Sequence, residues 1–242
     1  MSFFSDVNTL FKMVFHPIRG KTHSERLESF YANQASGYDD YRKRLLQGRE
    51  EMYQSLPIQQ GDTLLDMGGG TGANLEFLGD RIQLFSQIQL VDLSTSLLKV
   101  ARERFQARGW TNVATVEADA TQYRPTFTPD LMTFSYSLTM IPDWFAAIDH
   151  ALDLLKPGGT IGVVDFYVSR KYPAEGHIRH SQATQFFWPT MFRNDNVYPS
   201  PDHVPYLHRK FVPQKFVEAR ARVPFMPGFR VPYYIFIGKK PN

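Results

Sequence analysis

An apolar run that breaks into a cluster of glycines constrains this chain more than any other feature. The segment Leu64–Gly72 reads LLDMGGGTG, and the next apolar run ends at Asp92. This change indicates a buried strand followed by a tight loop, because glycine adopts positive φ and lets other atoms approach the backbone. A helix beginning near Ala73 would offer free N–H groups. An acid at the next strand end can accept both hydroxyls of a ribose, so the sequence predicts a nucleoside site.

The glycine loop alone leaves the nucleoside undetermined. Gly68, Gly70 and Ala73 also satisfy the dinucleotide fingerprint G-x-G-x-x-G/A, so a dehydrogenase that uses a nicotinamide or a flavin is one alternative. Other segments of the chain therefore decide between these nucleosides.

Strand and helix patterns alternate after residue 60. Strands are predicted at 62–67, 87–92, 113–117, 130–136 and 160–167, and helices at 72–80, 94–107, 143–155 and 178–192. This alternation predicts a parallel, doubly wound α/β sheet. Strand character returns in 211–223 and 230–238, which predicts an antiparallel C-terminal hairpin that completes seven strands.

Five segments in this order and spacing resemble class I S-adenosylmethionine-dependent methyltransferases over residues 60–168. They are Asp66-x-Gly68-x-Gly70-x-Gly72, Val91–Ser94, Glu117–Ala120, Asp130–Ser135 and Leu154–Gly159. The resemblance implies a Rossmann-like fold with an N-terminal helical lid, S-adenosyl-L-methionine as cofactor, and no metal. It also implies that Asp92 binds the ribose, Asp119 with Ala120 the adenine, and Asp66 the methionyl amine. The cofactor-binding residues expected on this basis are Tyr38, Asp66, Gly68, Gly70, Gly72, Asp92, Leu93, Asp119, Ala120 and Ser135.

Aromatic residues are expected around the reacting atoms. Tyr31 and Tyr38 lie seven positions apart on one helical face of the lid, where an aromatic ring can cover a sulfonium through cation–π attraction. Tyr136 and Tyr167 end two strands at the rim where ligands bind. His203, next to Asp202, is a candidate proton acceptor for an amine. The expected catalytic residues are therefore Tyr31, Tyr136, Tyr167 and His203, although for each aromatic singly the alternative is packing in the core.

Further segments resemble the methyltransferase half of betaine lipid synthases. They are Phe30–Asp39, Leu46-x-Gly48-Arg49, Asp195–Leu207 and Val231–Gly238. This resemblance implies trimethylation of diacylglyceryl homoserine, with a separate 3-amino-3-carboxypropyl transferase as functional partner. The headgroup carboxylate would need a cation, for which the candidates are Arg179, His180, Arg193, His203 and Arg209. The alternatives are phosphatidylethanolamine, a small-molecule amine, or a catalytically silent S-adenosylmethionine-binding subunit.

Composition limits the setting in which the chain works. The 242 residues carry a net charge of +3 and no cysteine, which fits a reducing cytoplasm. Residues 3–15 form an amphipathic pattern that either packs on the domain or lies in a membrane surface. The basic stretch after Leu207 is either a solvated edge or a peripheral attachment to anionic lipid, and no motif indicates nucleic acid. We expect a helical extension and lid at 1–56, and a methyltransferase domain at 57–242 with a substrate-side insertion at 169–206.

Overall fold

A seven-stranded mixed sheet organises the part of the chain that the structure describes. The structure is a computed structural model, and it describes residues 20, 22, 25, 28, 29, 44–224, 226 and 228–241. The strand order is β3-β2-β1-β4-β5-β7-β6, in which β7 runs antiparallel to β5 and β6 and the other pairs are parallel. The strands are β1 Thr63–Met67, β2 Gln87–Asp92, β3 Val113–Glu117, β4 Leu131–Ser135, β5 Thr160–Phe166, β6 Val212–Arg222 and β7 Arg230–Lys239.

Helices cover both faces of this sheet. They are α1 Arg49–Gln54, α2 Thr95–Arg108, α3 Trp144–Leu154, α4 Gln182–Phe192 and α5 His203–Lys210, with 3₁₀ segments at Ala73–Leu84, Leu138–Met140 and Arg193–Asp195. Strands β4 and β5 are buried along their whole length. The central strands of a parallel sheet are mainly apolar on both faces because helices cover both faces. The predicted α/β fold, with its parallel core and C-terminal hairpin, is confirmed.

Two apolar cores lie on opposite faces of the sheet. Leu64 and Leu90 belong to one core, whereas Leu65, Val91 and Tyr234 belong to the other. This division follows from the alternation of side chains along a strand. Ligands in such a sheet bind beyond the carboxyl ends of the parallel strands, where the strand order reverses between β1 and β4.

The helix boundaries differ from the sequence prediction in two places. The helix predicted at 178–192 begins at Gln182, because the Ser181 hydroxyl caps it by accepting from the Thr184 N–H at 3.2 Å. The helix predicted at 72–80 forms 3₁₀ turns over Ala73–Leu84, with a break at Gly79, whose φ is 54°. The insertion predicted at 169–206 contains α4 and the start of α5.

Most of the extension predicted at 1–56 lies outside the described residues, including the amphipathic pattern at 3–15. Within the described part, α1 packs on the domain through Met52 and Tyr53, both fully buried. No helix formed by the described residues combines the length and the hydropathy that crossing a bilayer requires.

Candidate functional site

The loop after β1 requires glycine both for its conformation and for space. Gly68, Gly70 and Gly72 have φ values of 67°, 59° and 70°. A Cβ on Gly68 would lie 2.5 Å from Cβ of Ser137, and a Cβ on Gly72 would lie 2.5 Å from the Phe105 ring. The loop is therefore held in left-handed backbone conformations that side chains rarely adopt, and its neighbours leave no room for a Cβ.

Asp92 connects this loop to the beginning of α2. Its Oδ2 accepts from the Gly70 N–H and its Oδ1 from the Ser94 N–H, both at 2.9 Å. Ser94 in turn caps α2 by accepting from the Leu97 N–H. Each carboxylate oxygen retains lone-pair capacity, so the two oxygens can still accept ribose hydroxyls.

A cavity of about 340 Å³ opens at the carboxyl ends of β1, β2 and β4. Its volume falls within the range of about 300–1,000 Å³ that is typical of small-molecule and cofactor pockets. Seven residues predicted from the sequence line it together, namely Gly68, Gly70, Asp92, Leu93, Asp119, Ala120 and Tyr136. The structure thus brings the predicted ribose and adenine residues to one place.

The predicted adenine residues follow β3. The Oδ1 atom of Asp119 accepts from both the N–H and the hydroxyl of Thr121, at 2.8 and 2.7 Å. Oδ2 makes no hydrogen bond to any residue that the structure describes, so it remains available for the amino group of a purine. Ala120 presents a small apolar surface beside it.

The surroundings of Asp66 show whether a cationic amine fits beside the glycine loop. Its side chain is fully buried, and Oδ1 accepts from the hydroxyls of Tyr53 and Thr133 at 3.0 and 2.7 Å. Oδ2 has no partner among the described residues, and it lies 2.8 Å from where a Cβ on Gly69 would stand. Burial raises the pKa of Asp66 to about 6, against the opposing effect of the two hydroxyl donors. A buried acceptor without a partner fits the methionyl ammonium of S-adenosylmethionine.

Arg49 is a candidate site residue that was not expected from the sequence. Its side chain is buried against the glycine loop, where Nη1 donates to Oδ1 of Asn74 and Nε to the Leu46 carbonyl, both at 2.9 Å. The Oγ of Ser135, in the same small pocket, has no partner within the described part of the chain. A guanidinium and a hydroxyl at this position fit the methionyl carboxylate. The only signal in the sequence was the Gly48-Arg49 pair, to which no role was assigned.

Tyr136 lines the cavity in a strained conformation. It follows β4 with a φ of 53°, which is rare for a bulky residue and is typical of functional sites. Its hydroxyl donates to the Gln47 carbonyl at 2.6 Å, and its ring packs edge-on against Phe166. Burial raises the pKa of Tyr136 well above its usual value, so the phenol stays neutral. Tyr136 therefore contributes an aromatic wall rather than a base.

Tyr167 and His203, predicted as catalytic, do not line this cavity. The Tyr167 hydroxyl donates to Oε1 of Glu218 at 2.5 Å, and the residue lines a different cavity. His203 is completely buried between the rings of Trp144 and Tyr234, and burial lowers its pKa to about 3. Neither ring nitrogen has a hydrogen-bond partner among the described residues. A proton acceptor must reach the proton that it takes, so the structure corrects His203 to a core residue.

The two remaining predictions for the site, Tyr31 and Tyr38, lie outside the described residues, so their proposed positions over the sulfonium stay predictions. The predicted cations for a headgroup carboxylate do lie within the described residues. None of them lines the cofactor cavity or the cavity that adjoins it through Met140–Pro142; they are Arg179, His180, Arg193, His203 and Arg209.

A second cavity, of about 520 Å³, adjoins the first and shares the wall Met140–Pro142 with it. We call it the acceptor cavity. Its lining is mostly apolar and aromatic, with Thr139, Asn196 and Ser200 as polar residues; it also includes Leu138, Trp144, Pro189, Tyr198 and Pro199. Thr139 is fixed by Asp165, which accepts from its N–H at 3.1 Å and from its hydroxyl at 2.8 Å.

The cofactor cavity has a one-sided charge pattern. Asp92, Asp119 and Asp143 line it, whereas the described lining of the acceptor cavity carries no charged side chain, and neither lining includes Lys, Arg or His. The potential inside the cofactor cavity is therefore negative, which favours cations such as a sulfonium or an ammonium.

Comparison with known proteins agrees with this geometry. A model of the methyltransferase domain family matches residues 35–216. The chain is 29% identical over 172 residues to a ubiquinone/menaquinone biosynthesis C-methyltransferase, UbiE, of Teredinibacter turnerae, covering 67% of this chain and 68% of that protein. Matches to such relatives span from 44% to 68% of their lengths.

Solved structures share the fold at lower identity. The [4+2]-cyclase SpnF superimposes with a TM-score of 0.68 at 17% identity, covering 93% of this chain and 98% of that one. The N-methyltransferase NodS from Bradyrhizobium japonicum, in complex with S-adenosyl-L-homocysteine, gives 0.63 at 15% identity, with 89% and 98% covered. The family match spans well over half of the chain, and the cavity fits the cofactor. The chain therefore belongs to the methyltransferase domain family and is an S-adenosylmethionine-dependent methyltransferase.

Proposed function

We propose that this methyltransferase transfers methyl groups to the amine nitrogen of a lipid headgroup, with trimethylation of diacylglyceryl homoserine as the leading reaction. The observation that carries the proposal is the charge and the lining of the two adjoining cavities. Carboxylates line the cofactor cavity, aromatic rings and apolar side chains line the acceptor cavity, and the described lining of both includes no cation. This environment suits an acceptor that is an ammonium before reaction and a quaternary cation after it.

Asp143 is the residue best placed to handle the acceptor's proton. It precedes α3, its side chain makes no capping hydrogen bond, and it lines the cofactor cavity next to the shared wall. An amine attacks only after it loses a proton, and an exposed carboxylate at the entrance can attract the ammonium and take that proton. When S-adenosylmethionine is bound, its sulfonium supplies an already activated methyl group, so positioning provides most of the rate.

Aromatic rings in the acceptor cavity suit the methylated product. Trp144 and Tyr198 both line that cavity, and Tyr136 lines the cofactor cavity beside it. Aromatic faces attract ammonium groups that can no longer donate hydrogen bonds, by about 0.5–2 kcal/mol per contact. Successive methylations can therefore occur in one site. The apolar wall of Leu138 and Met140–Pro142 suits the glyceryl and acyl part of a lipid.

A second candidate is C-methylation of a quinone precursor, which the names of the UbiE relatives favour. Such an aromatic acceptor reacts as a phenolate, which is stabilised by nearby cations. The described lining of the two cavities includes no cation, and that of the cofactor cavity offers carboxylates instead. This contrast favours nitrogen over carbon as the acceptor atom.

The test is methyl transfer by the full chain from labelled S-adenosylmethionine to several acceptors in detergent. The acceptors are diacylglyceryl homoserine, phosphatidylethanolamine, homoserine without acyl chains, and a demethylated quinol. Mass spectrometry of the products locates the new methyl groups. We expect N-methylated diacylglyceryl homoserine; a ring C-methylated product, or transfer to the unacylated amine alone, would reject the proposal.

The variant Asp143→Asn tests the proposed proton acceptor. We expect its kcat/KM for the lipid to fall by about 10²-fold or more, as removal of a general base does. Asp153→Asn, on the same helix but outside both cavities, is the matched control and should retain activity. Equal activity in the two variants would remove the role of Asp143.

A lipid acceptor requires an enzyme that makes it and a membrane surface that contains it. We propose that a separate 3-amino-3-carboxypropyl transferase makes diacylglyceryl homoserine and that this enzyme works at a membrane surface. Cells that express this chain with and without such a transferase should differ in betaine lipid content, as measured by lipid mass spectrometry. Betaine lipid that forms equally without the transferase would contradict the partnership.

A further inference from the structure

A third cavity, of about 320 Å³, lies between residues 169–178 and helix α5. The backbone bridge between Tyr167 and Ser200 separates it from the acceptor cavity: Ser200 lines the acceptor cavity, whereas Tyr167 and Pro201 line the third. We call it the basic pocket, and its walls are mainly apolar, with Pro173, Ala174, Val204 and Pro205 among them. No residue of its described lining belongs to the cofactor cavity or to the acceptor cavity.

The acidic group in the basic pocket is already engaged. Glu218 accepts from the Tyr167 hydroxyl at 2.5 Å through Oε1 and from the Ile178 N–H at 2.9 Å through Oε2. Arg170, also in the lining, pairs with Asp202 at 2.6 Å. Arg170 is thus neutralised by Asp202, whereas Glu218 keeps its charge although both of its oxygens already accept hydrogen bonds. Three other groups of the pocket remain to contact a ligand.

Those remaining groups are Arg209, His177 and His208. Arg209 is exposed and makes no ion pair within the described part of the chain. The rings of His177 and His208 lie 5.0 Å apart, and the buried Nε2 of His208 has no hydrogen-bond partner among the described residues. The guanidinium is suited to an anionic group such as a phosphate. Burial lowers the pKa of His208, so its ring can donate to the same anion as a neutral imidazole.

Exposed apolar side chains flank the entrance. Tyr172 is 73% exposed and Ile178 is 39% exposed. The Nζ of Lys171 and the guanidinium of Arg179 lie 5.3 and 5.7 Å from the centre of the Tyr172 ring. Glu175 is the acidic residue in this stretch. Aromatic residues flanked by cations are the composition of protein surfaces that enter the headgroup region of anionic membranes.

We infer that the basic pocket binds the headgroup of an anionic phospholipid and thereby docks the enzyme on a bilayer. Tyr172 and Ile178 enter the interface, while Arg209 and the two histidines hold the phosphate. Docking here places the Tyr167–Ser200 bridge, and the acceptor cavity behind it, next to the membrane. The inference deepens the proposed function by naming the surface that meets the lipid.

The experiment is sedimentation of the full chain with vesicles, without cofactor or acceptor. One vesicle set contains phosphatidylcholine alone, and the other contains phosphatidylcholine with phosphatidylglycerol. The pocket variants are Arg209→Gln and Tyr172→Ser. Their matched controls are Lys99→Gln, which removes an exposed cation on α2, and Phe145→Ser, which removes a half-exposed aromatic on α3. Thermal melts establish that all four variants fold.

We expect binding to the mixed vesicles only, with a partition coefficient that falls as salt is added. Arg209→Gln should lower it about fivefold, as the loss of one basic side chain at an anionic surface does. Tyr172→Ser should also lower it, and the two controls should leave it unchanged. All variants should retain methyl transfer to detergent-dispersed acceptor, so failed docking and a failed proposed function give different results.

Four results would overturn the inference. One is equal binding to both vesicle sets, and another is equal loss in Arg209→Gln and Lys99→Gln. The third is binding of inorganic phosphate with no binding to vesicles, which would show a free-anion site instead. The fourth is vesicle binding that survives both pocket variants, which would assign membrane attachment to another part of the chain.

Discussion

Replacing Asp92 with asparagine tests the cofactor site at the residue on which most of its geometry converges. In the structure both carboxylate oxygens accept backbone N–H groups, from Gly70 and from Ser94, at 2.9 Å. In asparagine an NH2 group replaces one of these oxygens. Because that group is itself a donor, it cannot accept from the backbone N–H that it faces. One backbone N–H then loses its partner, which costs about 1–3 kcal/mol.

The same substitution removes the charged acceptor for the ribose. A hydrogen bond to a charged group contributes about 1.5–3 kcal/mol, which is about 10- to 150-fold in affinity. Titration calorimetry with S-adenosyl-L-homocysteine should therefore show at least tenfold weaker binding by Asp92→Asn. The melting temperature without ligand should fall as well, because the glycine loop loses a tether.

The matched control is Glu117→Gln. Glu117 lies opposite Asp92 in the β2–β3 pairing and carries the same charge, but it is exposed and does not line the cavity. We expect its affinity to stay within about twofold of the original, as for screened surface charges. The reasoning is refuted if the two variants bind the ligand equally well, because charge near the cavity would then explain as much as the contacts of Asp92.

Three further predictions concern the glycine loop, the buried acid Asp165 and Arg49. Gly68→Ala should cost more stability than Gly109→Ala, by about 1–3 kcal/mol in denaturant melts, since both have a φ of 67° but only Gly68 faces a clash. The pKa of Asp165 is raised to about 7 by burial, which outweighs the donors from Thr139. Between about pH 4 and 7 the folded state thus holds a proton that the unfolded state has released. The free energy of unfolding therefore falls as the pH rises through this range, and Asp165→Asn should flatten this slope in denaturant melts. Arg49→Gln should weaken S-adenosyl-L-homocysteine binding about tenfold but leave methylthioadenosine, which lacks the carboxylate, unchanged in calorimetry; equal losses would contradict carboxylate binding.

The sequence alone determined the parallel core, the hairpin and the order of the segments around the cofactor cavity. These features are local, because apolar runs form strands and glycines permit left-handed turns. Parallel topology then brings every strand end to one edge, so Asp92, Asp119 and Tyr136 could be placed by their positions alone.

Tertiary packing decided the rest. His203 reads as a polar residue beside an acid, yet α5 buries it against β7, whereas Tyr167 turns toward Glu218 on the far side of a backbone bridge. Arg49 reaches the glycine loop through Asn74, twenty-five residues away. The side chains that a helix or strand directs toward a site depend on contacts with residues distant in sequence. The spacing of residues along the chain does not specify those contacts.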